Sequence, residues 1–501
     1  MSLIYNATFD KNTRKLSFED KAGNEIYSFI VPERVPVDDL TKPLTFKATQ
    51  DGSSVTLTKK GTPSGSFQTS RDGGNTWADY TINTAIALNT GDEVSFRAKS
   101  DRTSAQTFQF YFQFVMTGKI EAWHNVMSLY RTNDFATYNT VVDSAFRNLF
   151  EDCTSLTKAP ALPATTLADS CYCYMFRDCT SLTKAPALPV ITLREYCYRG
   201  MFSGCTSLTE APVLPATTLV DYCYGHMFKG CTSLTKAPAL PATTLAIFCY
   251  EYMFEDCTSL TEAPVLPATT LAVRCYQSMF RGCTSLTKAP ALPATTLAIY
   301  CYQSMFSGCR SLTEAPELPA TTLANDCYQS MFYGCTSLTK APELPATTLA
   351  DDCYYGMFKG CTSLAKAPEL PVTTLAHGCY NTMFSGCRSL TEAPELPATK
   401  LDNYCYDSMF YGCTSLTKAP ELPATTLAIY CYQSMFYGCS NLKEVRISAT
   451  TTAKNALADW LSGVSATGDF YCDPNATIFP TGASGIPANW TRHALADYPT
   501  T

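Results

Sequence analysis

Cysteine returns every 26 residues from Cys153 to Cys439, twelve times without an insertion or deletion. A second series, Cys171 to Cys431, runs in step with it. The unit reads Cys-Thr-Ser-Leu-Thr-Lys-Ala-Pro-x-Leu-Pro-Ala-Thr-Thr-Leu-Ala-x-x-Cys-Tyr-x-x-Met-Phe-x-x, and eleven copies fit between the outer cysteines. Self-similarity at a period of about 20–50 residues marks a solenoid, a propeller or an array. A 26-residue unit is too short for a four-stranded blade or a helix pair. One short strand plus a turn or short helix per coil is what fits. The fold class that follows is an α/β solenoid with a 26-residue period.

Within the unit the strand is expected at Leu156–Leu162 and its equivalents. Pro160 and Pro163 donate no hydrogen bond, so neighbouring strands should pair only in part. Cys171, Phe176 and Cys179 fall near helical spacing, which predicts one or two turns of helix facing the core. Terminal coils expose a core face and need caps. Ala145 to Cys153 is a degraded copy of Cys-Tyr-x-x-Met-Phe-x-x-Cys and reads as the N-terminal cap. At the other end, Cys439 to Leu442 begins a unit whose pattern is then abandoned.

Phe-x-x-Cys-x-x-Leu followed by Leu-Pro resembles the BspA-like (Treponema-type) leucine-rich repeats, with a usual unit close to Ala-Phe-x-x-Cys-x-x-Leu-x-x-Ile-x-Ile-Pro. Here Met175-Phe176 stands for Ala-Phe, Leu162-Pro163 for Ile-Pro, and the unit is longer. The resemblance covers roughly residues 140–447 and recurs in every copy. It implies a leucine-rich-repeat solenoid and a surface-exposed role in adhesion or ligand binding.

The flanks read differently. Residues 1–34 form a small antiparallel unit, with segments Leu3–Phe9, Lys15–Glu19 and Ile26–Val31. A proline-rich linker runs from Pro32 to Pro43. Domain 35–130 carries strand signals at Leu44–Ala48, Ser54–Thr58, Ala85–Leu88, Glu93–Ala98 and Phe108–Val115, the pattern of a β-sandwich. It resembles the N-terminal β domains that precede such repeats in proteins of gut Bacteroidetes and their phages. The solenoid with its cap spans 131–447. Residues 448–501 form a C-terminal cap, with a short helix at Ala453–Leu461 and with Trp460, Phe470 and Trp490 covering the last coil.

The 25 cysteines could be metal ligands, disulfides, redox groups or small buried side chains. Cys-x7-Cys lacks the close pairs and histidines of zinc sites. Stacked equivalents have parallel Cβ vectors that suit a disulfide poorly. Buried reduced thiols are the expected state, with Cys173 and Cys472, outside both series, the more exposed ones. Ser70 to Trp77 resembles the Asp-box of sialidases, Ser-x-Asp-x-Gly-x-Thr-Trp, a structural hairpin turn in that family, so it predicts a hairpin. Glu317, Glu343, Glu369, Glu395 and Glu421 share one repeat position and form an acidic stripe, either a solvated face or a cation site. No Ser-His-Asp set or phosphate loop stands out, and only four histidines are present. The chain reads as a non-enzyme with no cofactor and no metal.

The net charge of -7 argues against nucleic acid, and no apolar run approaches the ~18 residues of a membrane span. The start, Met1 to Thr8, has neither the basic nor the long apolar region of a signal peptide. The informative positions are those that vary while the scaffold repeats. Before Cys-Tyr they are Glu195, Tyr196, Tyr222, Ile247, Phe248, Arg274, Ile299, Tyr300, Asn325, Asp326, Asp351, Asp352, His377, Asn403, Tyr404, Ile429 and Tyr430. After Cys-Tyr they are Arg199, Glu251, Tyr252, Tyr355 and Asn381. Stacking turns them into a stripe, either idle surface or a binding site rich in Tyr and Arg. The expected role is attachment: a phage virion surface or fibre protein that binds a host cell-surface protein or glycan through the solenoid. The N-terminal module would then join other virion proteins, with self-association a further option. The alternatives are a bacterial cell-surface leucine-rich-repeat adhesin or glycan-binding protein and, more remotely, a carbohydrate-active enzyme.

Overall fold

The structure is a computed structural model that describes residues 6–10, 15–19, 25–30, 38–102 and 111–498. The expected segment ends at Leu3, Val31 and Phe108, and the linker residues from Pro32 to Pro36, lie outside these. The chain divides into two compact units, 1–40 and 41–501. In the first, β1 (Asn6–Asp10), β2 (Lys15–Glu19) and β3 (Glu25–Ile30) form an antiparallel sheet in that order, as the alternating segments predict.

The second unit opens with a sandwich. β4 (Thr45–Ala48), β5 (Ser53–Lys60), β6 (Phe67–Ser70), β7 (Ala78–Tyr80), β8 (Ile86–Leu88), β9 (Glu93–Ala98), β10 (Tyr111–Thr117) and β11 (Ile120–Trp123) divide between two sheets. One sheet has the order β10-β5-β8. The other runs β12-β11-β4-β9-β6-β7, and β12 (Leu156–Lys158) belongs to the solenoid. Gly118, at φ 77°, turns the chain from one sheet to the other, and any Cβ there would lie 2.9 Å from the Ser53 Cα. The Asp-box segment is the β6–β7 hairpin. Asp72 accepts from the Thr76 N–H at 2.9 Å, and the Trp77 indole N–H donates to the Gly74 carbonyl at 2.9 Å.

The sandwich serves as coil zero of the solenoid. Each thiol of the first series, from Cys179 to Cys439, donates to the carbonyl of the ladder phenylalanine one coil back, as Cys179 Sγ does to Phe150 at 3.0 Å. Cys153 Sγ does the same to Phe114 of β10, at 3.1 Å. The Phe114 ring stacks on Phe150 at 5.4 Å, and Phe150 on Phe176 at 5.3 Å. No break in the core falls between sandwich and repeats. Ala145–Cys153, expected to act as the cap, is a full coil with the sandwich over it.

The solenoid contains no α-helix, so the α/β class and the helix over Cys171–Cys179 are corrected to a β-solenoid of stacked turns. The reason lies in the burial pattern. Cys171 and Tyr172 point inward, then Met175 and Phe176, then Cys179, a strict four-residue step. A helix would rotate such pairs by about 40° per step and lose register with the core. The chain instead makes overlapping turns. Cys173, Met175, Arg177 and Cys179 donate to the carbonyls three residues back, while Tyr172, Tyr174, Phe176 and Asp178 donate to carbonyls of the next coil. Every backbone N–H in this run is therefore satisfied without a helix. Every fourth residue takes positive φ: Ser170 at 56°, Tyr174 at 56°, Asp178 at 58°. Turns with a positive third residue favour Gly, Asn or Asp, and the last of the three positions is always Gly or Asp, from Asp152 to Gly463.

On the opposite side the prolines limit pairing as expected. Between β12 and β13 (Lys418–Leu422) most coils touch through isolated parallel bridges, such as Lys236↔Glu262 and Lys288↔Glu314. Continuous pairing resumes at the C-terminal end, where β13, β14 (Glu444–Ile447), β15 (Gly468–Cys472) and β16 (Trp490–Ala494) form a parallel sheet. The helix expected at Ala453–Leu461 is instead one more turn run, whose Ala456, Ala458 and Trp460 carbonyls accept from the preceding coil. Trp460 is fully buried against Phe436, Phe470 and Phe479, closing the core.

All 25 cysteines are free and buried, Cys173 and Cys472 included, which corrects their expected exposure. Burial pushes the thiols up, to about 11 at Cys173 and about 12 at Cys197.

Candidate binding surface

The variable stripe resolves into three parallel rows. The outer row is exposed at Glu195, Ile247, Ile299, Asn325, Asp351 and Ile429, and half-buried at His377 and Asn403. Some of its members brace the backbone: Asp351 accepts from the His377 N–H at 3.2 Å and Asn403 from the Ile429 N–H at 3.1 Å. Ile247 and Ile299, 39% and 43% exposed, brace nothing and present apolar surface.

The middle row is the first positive-φ position of each coil. After Ser144 and Ser170 (both 56°) it runs Tyr196 (56°), Tyr222 (58°), Phe248 (57°), Arg274 (55°), Tyr300 (57°), Asp326 (57°), Asp352 (51°), Gly378 (54°), Tyr404 (59°) and Tyr430 (57°), and ends at Asn455 (55°). A non-glycine residue in this region costs roughly 1–2 kcal/mol, and a bulky one there is a true outlier. The rings stack: Tyr196 on Tyr222 at 4.5 Å, Tyr222 on Phe248 at 4.5 Å, Tyr404 on Tyr430 at 4.8 Å. Arg274 lies between Phe248 and Tyr300, at 5.3 and 4.5 Å from their centroids. Such contacts return about 0.5–1.5 kcal/mol per pair, which offsets the backbone cost without a clear surplus. Beyond Tyr300 the row turns acidic. Burial raises Asp326 and Asp352 above the usual carboxylate range.

The inner row holds Arg199, Glu251, Tyr355 and Asn381. Glu251 is buried, facing the chain rather than solvent: Arg199 reaches it at 3.7 Å across Gly225, and His226 approaches at 3.5 Å. The Arg199 guanidinium passes close over Gly225, where a Cβ would lie 3.3 Å from it. Tyr252 stacks on His226 at 4.8 Å. Tyr355 and Asn381 lie further along the rod, half-buried and apart from this cluster.

The structure adds a second surface. The residue between the prolines is apolar in the early coils, with Val213 and Val265 77% and 78% exposed, and a groove of about 390 Å³ opens between Lys236–Pro241 and Glu262–Pro267. From Glu317 onward the same position is glutamate. The alternation was legible in the repeat; the groove, which needs two coils side by side, was not. Among the described residues no three His, Cys, Asp or Glu side chains come together as a metal site would require, and no helix is long and apolar enough to cross a membrane.

Comparison with known proteins agrees with this architecture. No curated protein and no solved structure matches the chain. The family model described as BspA type leucine rich repeat region matches over 142–261, 171–313, 248–391 and 356–459, which together span the solenoid from its first turn run to its last. With that span covered, the chain belongs to the BspA-type leucine-rich-repeat family.

Proposed function

We propose that the chain is a non-catalytic adhesion protein whose solenoid attaches through the three-row stripe to a protein on a bacterial surface. The observation that carries this reading is the middle row. Bulky rings and an arginine hold a backbone conformation for which the row from Asp152 to Gly463 uses only Gly or Asp. The row between them uses mostly Gly or Ser, with Tyr174, His226, Tyr252 and Thr382 as its larger members. Residues kept against local preference cluster at functional sites. The stacked faces of Tyr196, Tyr222 and Phe248 cover one another, leaving ring edges, hydroxyls and the exposed isoleucines for a partner. A sugar ring would need a free aromatic face, so this arrangement suits a protein better than a glycan.

The thiols favour a virion component over a secreted adhesin. Twenty-five free cysteines suit folding in a reducing cytoplasm, where a virion is assembled. Labelled chain applied to a panel of gut Bacteroidetes cells tests the attachment role. Replacing Phe248, Tyr252, Arg274 and Tyr300 together by Ala should abolish binding. It also removes four ring contacts worth about 0.5–1.5 kcal/mol each, so binding is scored well below the lowered melting temperature. Glu343, Glu369 and Glu395 changed to Gln should leave it intact. The opposite result would move the binding face to the proline side.

A further inference from the structure

A separate row follows the other end of the turn run, at the residue two before each cysteine of the first series. In the later coils it reads Arg281, Ser307, Tyr333, Lys359, Ser385, Tyr411, Tyr437. The order cation, serine, tyrosine therefore occurs twice, three coils apart. Tyr411 and Tyr437 are 42% and 38% exposed and stack at 4.9 Å with an interplanar angle of 1°. One face of Tyr411 is thus covered, and the other is turned along the rod toward the coil of Ser385. Tyr333, 46% exposed, holds the same place in the row relative to Ser307 and Arg281. Both serines are buried and form the floor between their taller neighbours. Main-chain bonds fix the spacing: the Gly360 N–H donates to the Ser385 carbonyl and the Gly386 N–H to the Tyr411 carbonyl, each at 2.7 Å. A second row marks the same two coils. The residue after the first-series cysteine is Thr or Ser from Thr154 to Ser440 except at Arg310 and Arg388, which share their coils with Ser307 and Ser385.

We propose that each of these slots binds one acidic sugar, the terminal residue of a cell-surface glycan. Its apolar face lies on the tyrosine and its carboxylate meets the cations. One slot is Lys359, Ser385, Arg388 and Tyr411; the other is Arg281, Ser307, Arg310 and Tyr333. Both lie outside the stripe, whose stacked rings cover one another.

Width is the first argument. Coils lie roughly 4.8 Å apart, so the level of Ser385 stands from Tyr411 as Tyr437 does on its other side, and one ring fills it. That ring lies across the rod and its chain leaves sideways, which suits a terminal residue. Charge is the second. Among the described residues Lys359, Arg310 and Arg388 make no ion pair, and Arg281 shares Glu255 with Lys229. The tyrosine face is electron-rich and attracts polarised C–H bonds, while arginine and lysine favour a carboxylate. Ring and anion in a single residue decide the class. Unmodified Phe, Tyr and Trp carry a ring without the charge, Asp and Glu the charge without a ring; an acidic sugar carries both. Copying of a three-coil block does not account for the match. Between the copies Asp326 becomes Tyr404 and Gln329 becomes Asp407, and the first wall changes from Arg281 to Lys359 with its charge kept.

Saturation-transfer NMR titration of the full chain tests this, with glucuronic acid and N-acetylneuraminic acid as probes and glucose as the ring without a carboxylate. At least one acid should bind, and glucose about tenfold or more weakly. Ser307→Tyr with Ser385→Tyr fills both slots with a residue this repeat position already carries, so it should abolish binding without lowering the melting temperature. Changing Arg281, Arg310, Lys359 and Arg388 to Gln should weaken the acid about tenfold or more and leave glucose unchanged. Binding of neither acid, glucose binding as well as the acids, or an undiminished signal from the filled variant would overturn the proposal. Phenylacetate binding more tightly than either acid would assign the slot to an aromatic anion and overturn it too. The alanine variant of Phe248, Tyr252, Arg274 and Tyr300 should take up the acids as wild type does, so the slots and the stripe stand or fall separately.

Discussion

Phe114 carries the claim that the sandwich and the solenoid share one core. It lies on β10, is fully buried, and its ring is 4.6 Å from Phe46, 5.2 Å from Phe96 and 5.4 Å from Phe150. Phe150 begins the phenylalanine ladder that continues through Phe176 and Phe202. Replacing Phe114 by Ala removes one ring from the sandwich core and the end ring from the ladder. A buried Phe→Ala change costs about 3–5 kcal/mol. In a solenoid each coil is stabilised mainly by its neighbours, so the loss should fall on the coils nearest the change and fade along the rod. Amide hydrogen exchange should show it. The Phe114 N–H donates to Leu149 and the Phe150 N–H to Met175, so protection should fall across residues 144–180 together with the sandwich strands. Coils beyond residue 400 should exchange as in wild type. If the sandwich alone loosened while residues 144–180 kept their protection, Phe114 would be an ordinary sandwich residue and the coil-zero argument would be wrong.

The thiols give a second test. Native protein should leave all 25 unreactive toward a thiol reagent at neutral pH, because each is buried and burial disfavours the thiolate, while denatured protein should titrate all of them without reductant. Reaction of Cys173 or Cys472 in the native state would contradict their burial, and extensive oxidation would remove the case for assembly in a reducing compartment. Acidification gives a third. Burial raises Asp178, Asp326, Asp352 and Asp407 in the solenoid, so their cost to the folded state is present at neutral pH and is relieved as pH falls through the raised values toward 3.8. In the sandwich Asp72 is lowered by Ser70 and Thr76, Asp79 by Lys99 and Asp101 by Thr132, and that stability, present above 3.8, is lost as pH falls through the lowered values. Exchange measured from neutral to acid pH should therefore show the sandwich weakening before the middle coils, and the reverse order would refute the assignment.

Much of this protein could be read from its residues because a solenoid copies one local solution many times. The 26-residue step established stacking, the cysteine and phenylalanine ladders followed from positions that never vary, and the proline pair explained why strands on that face meet at single bridges. The four-residue step of Cys171-Tyr172, Met175-Phe176 and Cys179 was equally visible, and it is incompatible with an α-helix over several turns. What a list of residues does not carry is the sign of φ. Gly308 and Gly334 suggest a left-handed position, but Tyr222 and Phe248 do not, and they adopt it because the coils above and below dictate the hydrogen bonds of every even-numbered residue in the run. Nor does Phe114 look like a member of the ladder, since it stands on an ordinary strand outside the repeat. Its place, like the burial of Cys173 and Cys472, is decided by what packs beside it, and packing between distant segments leaves no periodic trace in the chain.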